Sequence, residues 1–287
     1  MLPRMERRKR VAVVGAGRLG SALATSLHDA GFTIDAIVAR AQAKSRKKAA
    51  ALARLVGARA IVEISEMKAD VVWFCVPDSD IANAAAALAN NIPWQGKIAL
   101  HSSGALTSDE LNSLRKRGAA VASVHPLMTF VEASRSGLSG VAFAVEGDPL
   151  AVRVAGKIVR QLGGHAYPIR KQDKDAYHAW GTFASPLLTA LLASTEQVAK
   201  LAGVHGTEAR RRMIPILSQT LANYAELGAA RGFSGPIIRG DVEIVKHHLR
   251  VLRASPAARE VYVALARAAV QYLPAKNKAA LRRLLKQ

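Results

Sequence analysis

The chain has 287 residues, half of them hydrophobic, and a formal net charge of +20. The length points to two domains, and no apolar run reaches the ~18–20 residues that a membrane span needs. Aromatics make up only 5%, too few for the stacking platforms of a single-strand binder, and the basic residues are spread along helices and both tips, so a solvated basic surface is expected rather than a nucleic-acid site.

The start, MLPRMERRKR, is basic, but the apolar stretch after it is rich in glycine and carries Arg18. It lacks the apolar centre and cleavage site of a signal peptide. Cys75 is the only cysteine, so no internal disulfide can form and a cytoplasmic location is expected.

The first elements are a strand, a turn and a helix in "RVAVVGAGRLGSALATSLHDAGF". Val11–Val14 form the buried strand, and Gly15, Gly17 and Gly20 give the spacing G-x-G-x-x-G. The first glycine permits the tight turn, the second lets a pyrophosphate approach the backbone, and the third lets helix and strand pack closely. The helix start, with Arg18 and Leu19, offers free N–H groups to the anion. A second strand, "TIDAIVAR", comes at the distance a dinucleotide fold requires.

The end of that second strand selects the cofactor. An NAD enzyme usually carries Asp or Glu there for the ribose 2′-hydroxyl. Here Asp35 lies too early, and the strand ends at Ala39-Arg40, followed by Ser45, Arg46 and Lys47. A guanidinium at that place can pair with a 2′-phosphate. NADP(H) is therefore expected over NAD(H), with Arg40 as its ligand and Arg46 and Lys47 as alternatives that could equally face solvent.

"ADVVWFCVPDSDIANAAAALA" supplies the next buried strand, then a helix capped by Asp78 or Ser79. Ends of parallel strands face the cofactor crevice, which would put the turn Cys75-Val76-Pro77 beside the nicotinamide ribose. Cys75 itself suits a buried apolar role rather than a nucleophile's. The strand Ile98–Leu100 ends at His101-Ser102-Ser103-Gly104, and Thr107 or Ser108 caps the helix after it, Glu110 completing a capping box if Thr107 is the cap. "AAVASVHPLMTF" is a further strand ending at His125-Pro126. Two strands that end in histidine at one edge leave a structural and a functional role equally open. No His, Cys and Asp set at ligand spacing accompanies them, so no metal is expected. "VAFAVEGD", a helix over 149–162, and "HAYPI" complete a Rossmann domain over residues 1–170.

Residues 171–287 form an all-α domain. "DKDAYHAWGTFASPLLTALLASTEQVAKLAG" predicts one long helix kinked at Pro186 and closed by Gly203. Lys174, His178, Thr182 and Ser185 share one face of it, and Lys or His there could donate a proton. Helices are predicted over 207–228, 241–254 and 256–273. Between the first two, "SGPIIRGDVEIVKHH" breaks the pattern. Asp241 is a credible N-cap, with Ile244, Val245 and Leu249 on the buried side. Gly240 implies positive φ or close backbone, and Arg239 has the form of a carboxylate or phosphate clamp.

Six blocks together carry a resemblance: "VAVVGAGRLGSAL", "VVWFCVPDSDI", "HSSGAL", "SVHPLMTF", "DAYHAWGTFAS" and "SGPIIRGDVEIVKHHL". The chain resembles Rossmann-like proteins with a C-terminal domain of unknown function 2520 (DUF2520), of the 6-phosphogluconate and 3-hydroxyacid dehydrogenase-like class. The resemblance implies an α/β fold, a doubly wound Rossmann sheet followed by an all-α domain, dimerised through its helices, with the active cleft between the domains. It places His101, Ser102, His125, Tyr177, His178, Gly235, Pro236, Arg239, Gly240 and Asp241 around that cleft. The family tends to carry Asn after the Ala-Ser of the long helix, whereas here Pro186 follows Ser185. Related reductases use Lys and Asn four apart on this helix; the corresponding pair here is Lys174 and His178.

The expected function is an NADP-dependent oxidoreductase acting on a small, anionic carbonyl or imine (or the alcohol or amine it becomes). Lys174 or His178 would be the proton donor, His101, Ser102 and His125 the other catalytic groups, and Ser103, Tyr177, Arg239 and Asp241 the substrate contacts. The alternative is a non-catalytic NADP(H)-binding regulator that signals through a helical dimer.

Overall fold

A computed structural model describes residues 9–65, 67–131 and 137–286. Residues 1–8 of the basic start lie outside that range. The chain divides into a compact unit up to Thr182 and a second from Phe183.

The first unit is built on an eight-stranded sheet. Strands β1 (Arg10–Val14), β2 (Thr33–Val38), β3 (Arg59–Ile61), β4 (Val71–Phe74), β5 (Ile98–His101), β6 (Ala120–Pro126), β7 (Ala142–Gly147) and β8 (His165–Pro168) lie in the order β3-β2-β1-β4-β5-β6-β7-β8. Every pairing is parallel except β6 with β7. The apolar runs of the central strands are buried on both faces. Val11 and Val13, with Val71 and Trp73, enter one core with Leu23 and Leu27 of helix α1 (Arg18–Asp29) and Ala49 and Leu52 of α2 (Ala43–Leu55). Ala12 and Val14, with Val72 and Phe74, enter the other with Ile81 and Ala85 of α3 (Ile81–Leu88) and Leu114 of α4 (Asn112–Arg115). The period-two alternation of a strand divides one continuous apolar run between two cores. Helix α5 (Pro149–Gln161) packs on the first of them.

Strand β7 reverses direction against β6, pairing Ser123 with Glu146 and His125 with Ala144, so the last strand–helix–strand unit is joined antiparallel to the rest. Helix α3 is entered through a 3₁₀ turn over Asp78–Asp80 with no side-chain cap. Neither Asp78 nor Ser79 caps it, because the Asp78 carboxylate accepts from Ser103 Oγ at 2.8 Å. Thr107 is the cap before β6, accepting from the Asp109 N–H, while Ser108 donates its hydroxyl to Glu146.

The predicted long helix is in three pieces. Helix α6 (Lys174–Thr182) closes the first unit; a π-helical turn over Phe183–Leu187, containing Pro186, and α7 (Leu188–Leu201) open the second. Proline lacks the N–H of a regular turn, and the widened turn absorbs that defect. The expected common polar face does not form as one surface. Lys174 is 1% exposed, whereas His178, Thr182 and Ser185 are open or half-open.

The second unit continues with α8 (Gly206–Gly232), broken at Gly228 with φ +73°, then α9 (Pro236–Arg239), α10 (Val242–Val251), α11 (Pro256–Tyr272) and α12 (Lys278–Leu284). Val245, Leu249, Ala266, Val270 and Leu281 form its core. Ile244, expected inside, is exposed. The break before α10 has a local cause. Gly240 is left-handed, and a Cβ on it would lie 2.9 Å from the Lys276 carbonyl. Asp241 takes the N-cap position without a capping hydrogen bond; its carboxylate accepts from Arg239 Nε at 2.8 Å instead. Among the described residues, no helix is long and apolar enough to cross a membrane.

Candidate active site

The glycine turn at the end of β1 has three distinct reasons for its three glycines. Gly15 has φ +102°, and a Cβ on it would meet the Cys75 carbonyl at 2.6 Å. Gly20 is pressed so closely on the turn that a Cβ would fall 2.0 Å from the Gly15 carbonyl oxygen. Gly17 faces open space, with nothing within 4 Å of a Cβ placed there. Packing requires the first and third; at the second, only an approaching ligand could.

A cavity of about 790 Å³ begins at this turn. Gly15, Gly17, Arg40, Cys75, Val76 and Pro77 line it, together with Lys44, Ser45, Lys48, Asp80 and Asn83. Gly20 lies behind the turn, and Arg18 and Leu19 open α1 without lining the cavity. Arg40 is 63% exposed at its far end, 3.3 Å from Asp80, and its backbone N–H donates to Ser45 Oγ. Lys44 and Lys48 stand four apart on α2 and join it, while Arg46 and Lys47 are exposed away from the cavity. Asp35 is engaged elsewhere: buried, it accepts from Arg10 at 2.8 Å and from the Lys68 N–H. The Cys75 thiol is pushed up to about 12 by burial, which keeps it protonated and unreactive.

The ends of β5 and β6 meet α6 in a second cluster. His101 is buried; its Nδ1 accepts from the Ser103 N–H at 3.1 Å, so Nε2 carries the proton and donates to the Thr107 carbonyl at 2.9 Å. Burial first, then the Lys174 charge, holds this imidazole down to about 4, against the support of the Thr107 carbonyl, so it is neutral at neutral pH. Ser102 Oγ accepts from Trp73 Nε1 at 2.8 Å. The Ser103 carbonyl accepts from Lys174 Nζ at 3.2 Å and from Ser123 Oγ at 3.1 Å, and Lys174 also donates to Ser123 Oγ at 2.7 Å. Lys174 is therefore held between the loop that follows β5 and the middle of β6. Burial pulls its ammonium down to about 8, with Glu146 and Asp78 opposing the shift.

His125 Nδ1 lies 2.7 Å from the Tyr177 hydroxyl, and the two rings meet edge to face at 5.5 Å. Burial first, then the neighbouring Lys174 and His178, lowers His125 to about 4. Burial also raises the Tyr177 phenol above its usual range, with Tyr167 adding to it. Gly104 admits both imidazoles: a Cβ there would lie 2.8 Å from His178 Cδ2 and 2.9 Å from His125 Nε2. Lys174, His101, Ser102, Ser103, His125, Tyr177 and His178 thus form one neighbourhood within the first unit. Arg239 and Asp241 lie in the second unit, paired to each other.

Family models match the two parts of the chain: a Rossmann-like domain over residues 4–126 and the domain of unknown function DUF2520 over 141–269. The chain is a Rossmann-like protein with a DUF2520 domain. The DUF2520 match begins at β7, so the family's second domain includes the strand–helix–strand that completes the sheet. No curated protein matches the sequence. Solved structures share the fold. A candidate NADP oxidoreductase from Bacteroides fragilis aligns with a TM-score of 0.75 at 21% identity, covering 91% of this chain and 97% of that one. A Thermotoga maritima protein aligns at 0.68 and 23% identity, over 96% and 98%. A reductive aminase from Aspergillus terreus, solved with NADPH and ethyl-5-oxohexanoate, aligns at 0.68 and 17% identity, over 96% and 99%.

Several residues of these two clusters in this DUF2520 protein escape a linear reading. Ser123 stands two before His125 on β6, on the same face of the strand, and Glu146 is its cross-strand partner; period two could have found the first but not the second. Lys44 and Lys48 carry a weak signal, their spacing of four within a basic helix. Asp78 and Gly104 carry none, since their roles depend on how close two strand ends come.

Proposed function

We propose that this protein is an NADP(H)-dependent oxidoreductase acting on a small carbonyl or imine compound, or on the alcohol or amine formed from it. The observation that carries the reading is the cavity that runs from the open backbone at Gly17 to the cationic group of Arg40, Lys44 and Lys48. A pyrophosphate fits the N-terminus of α1 and a 2′-phosphate fits the cationic end. The cavity's size, about 790 Å³, is in the range of small-molecule and cofactor sites. The solved structures that share the fold include a reductive aminase crystallised with NADPH, which agrees with this assignment. When bound, the nucleotide supplies or accepts hydride.

The chain's own residues do the rest. Lys174 is a buried ammonium whose proton is loosened to a value near neutrality, the property wanted in a general acid that works at physiological pH. Ser123 and the Ser103 carbonyl aim it. His101 fixes the loop that carries Ser102 and Ser103, since both its nitrogens are engaged by backbone. His178, exposed on the next turn of α6, is the second candidate donor. The exposed apolar residues of α7 and α8, among them Leu188, Ile214, Ile216, Leu221 and Tyr224, support assembly with a second copy.

The test is NADPH oxidation against a panel of 2-oxoacids, 3-oxoacids and cyclic imines. Turnover that falls by about 10²–10⁴-fold in Lys174→Met is the expected result. A panel without turnover, or turnover indifferent to both Lys174→Met and His178→Ala, contradicts the reading.

A further inference from the structure

We infer that Tyr177 is a positioning residue, whose hydroxyl donates to His125 Nδ1 and so fixes His125 as the Nε2–H form, an N–H donor for a carbonyl oxygen of the substrate. The inference rests on the oxidoreductase reading for its substrate and on geometry for the rest.

The 2.7 Å separation is the usual length for an O–H donor and short for an N–H one. A phenol oxygen is also a poor acceptor, its lone pair being shared with the ring, whereas an unprotonated imidazole nitrogen is a strong one. The proton therefore sits on the oxygen, and the ring's second proton must sit on Nε2. The edge-to-face contact at 5.5 Å and the burial of Tyr177 leave the pair little freedom to separate.

Nε2 has no hydrogen-bond partner among the described residues, although His125 has one at Nδ1. It lies on the side of Gly104, where a side chain would collide with both His125 and His178. A glycine that keeps two imidazoles within reach of one backbone point leaves the N–H edge uncovered by any side chain at position 104. The charged and titratable groups around His125 are Lys174, His178, Asp78 and His101, in addition to Tyr177. The Lys174 ammonium disfavours a second positive charge beside it, so His125 serves as a neutral donor while Lys174 carries the mobile proton. A neutral imidazole N–H that polarises a carbonyl is an established catalytic arrangement. Such a donor needs a lone pair opposite it: a carbonyl oxygen offers one, and a protonated iminium nitrogen does not.

The experiment is nitrogen-15 NMR of the histidine rings in the full chain, with His125 assigned by the signal lost in His125→Gln. At pH 7 and without cofactor, the wild type is expected to show His125 protonated at Nε2 and bare at Nδ1. Tyr177→Phe is expected to give a mixture of tautomers, raise the His125 titration midpoint by about one pH unit, and leave the His101 signals in place. On a carbonyl substrate found in the panel, Tyr177→Phe should lower kcat about tenfold with KM for NADPH unchanged. A wild-type His125 protonated at Nδ1 overturns the inference, and that result can be read even where Tyr177→Phe does not fold. So does an unchanged tautomer in the variant, or an unchanged kcat. The tautomer is read without turnover, so a panel with no substrate counts against the oxidoreductase reading and leaves the ring's orientation decided separately.

Discussion

Lys174 Nζ donates to Ser123 Oγ at 2.7 Å, joining helix α6 to the middle of strand β6. A lysine from the start of a helix is thereby buried with hydroxyl and carbonyl partners and, among the described residues, no carboxylate paired with it. Its ammonium is retained at a cost, and the cost can be measured.

Lys174 sits near 8 in the fold, below its ordinary 10.5, chiefly through burial. Between those two values the unfolded chain holds a proton that the native chain releases, so stability should rise as pH rises through that window. The rise is on the order of 3 kcal/mol at most. Thermal midpoints of wild type and Lys174→Met between pH 7.5 and about 10.5 check it, the variant losing the rise. If Lys174 is the acid, kcat/KM should fall above about pH 8 in the wild type.

His101 and His125 both sit near 4, below the ordinary 6.5, again chiefly through burial. The unfolded chain gains protons on them first, so stability is lost as pH falls from about 6.5 towards 4. Each contributes on the order of 3 kcal/mol at most. Denaturant midpoints across this range should show the loss, and His125→Phe should remove one of its two contributions.

Two glycines of the G-x-G-x-x-G segment should fail in different ways. Gly20→Ala puts a methyl 2.0 Å from the Gly15 carbonyl oxygen, which backbone must yield to accommodate, at a cost of about 1–3 kcal/mol or more. Gly17→Ala meets nothing and should leave the melting temperature of the free protein within a degree or two, while weakening NADPH through contact with its pyrophosphate. Melting curves with and without NADPH separate the two outcomes.

Arg40→Ala should weaken NADPH about 10- to 100-fold and leave NADH nearly unchanged, as expected for loss of one charge-assisted contact to the 2′-phosphate. Lys44→Ala with Lys48→Ala should act in the same direction. Arg46→Ala and Lys47→Ala, exposed away from the cavity, should do neither.

Much of the first unit is legible in the sequence because its signals are local. The run Val11–Val14, the glycine spacing and the basic end of the second strand each fix one feature within a few residues. The two histidines at strand ends are also visible, but the direction of β7 is not: "VAFAVEGD" has the same apolar pattern whether it runs with or against β6. The shared face of Lys174 and His178 rests on helical spacing alone. Spacing says which side chains point together, not how deeply a neighbouring loop covers the first of them, so the burial of Lys174 is unreadable. The Gly-Pro break before α10 is visible too, and Gly240 has both properties expected of it, positive φ and close backbone. Asp241 differs because the guanidinium two residues before it competes for the carboxylate that would otherwise cap the helix.

The decisive titration is calorimetry of the purified full chain with NADPH and, separately, with NADH. Binding of NADPH at least about tenfold tighter than NADH, with the difference abolished in Arg40→Ala, is the result predicted. No heat with either coenzyme, or equal affinity for both, would contradict the account of the glycine turn and of the cationic end of its cavity.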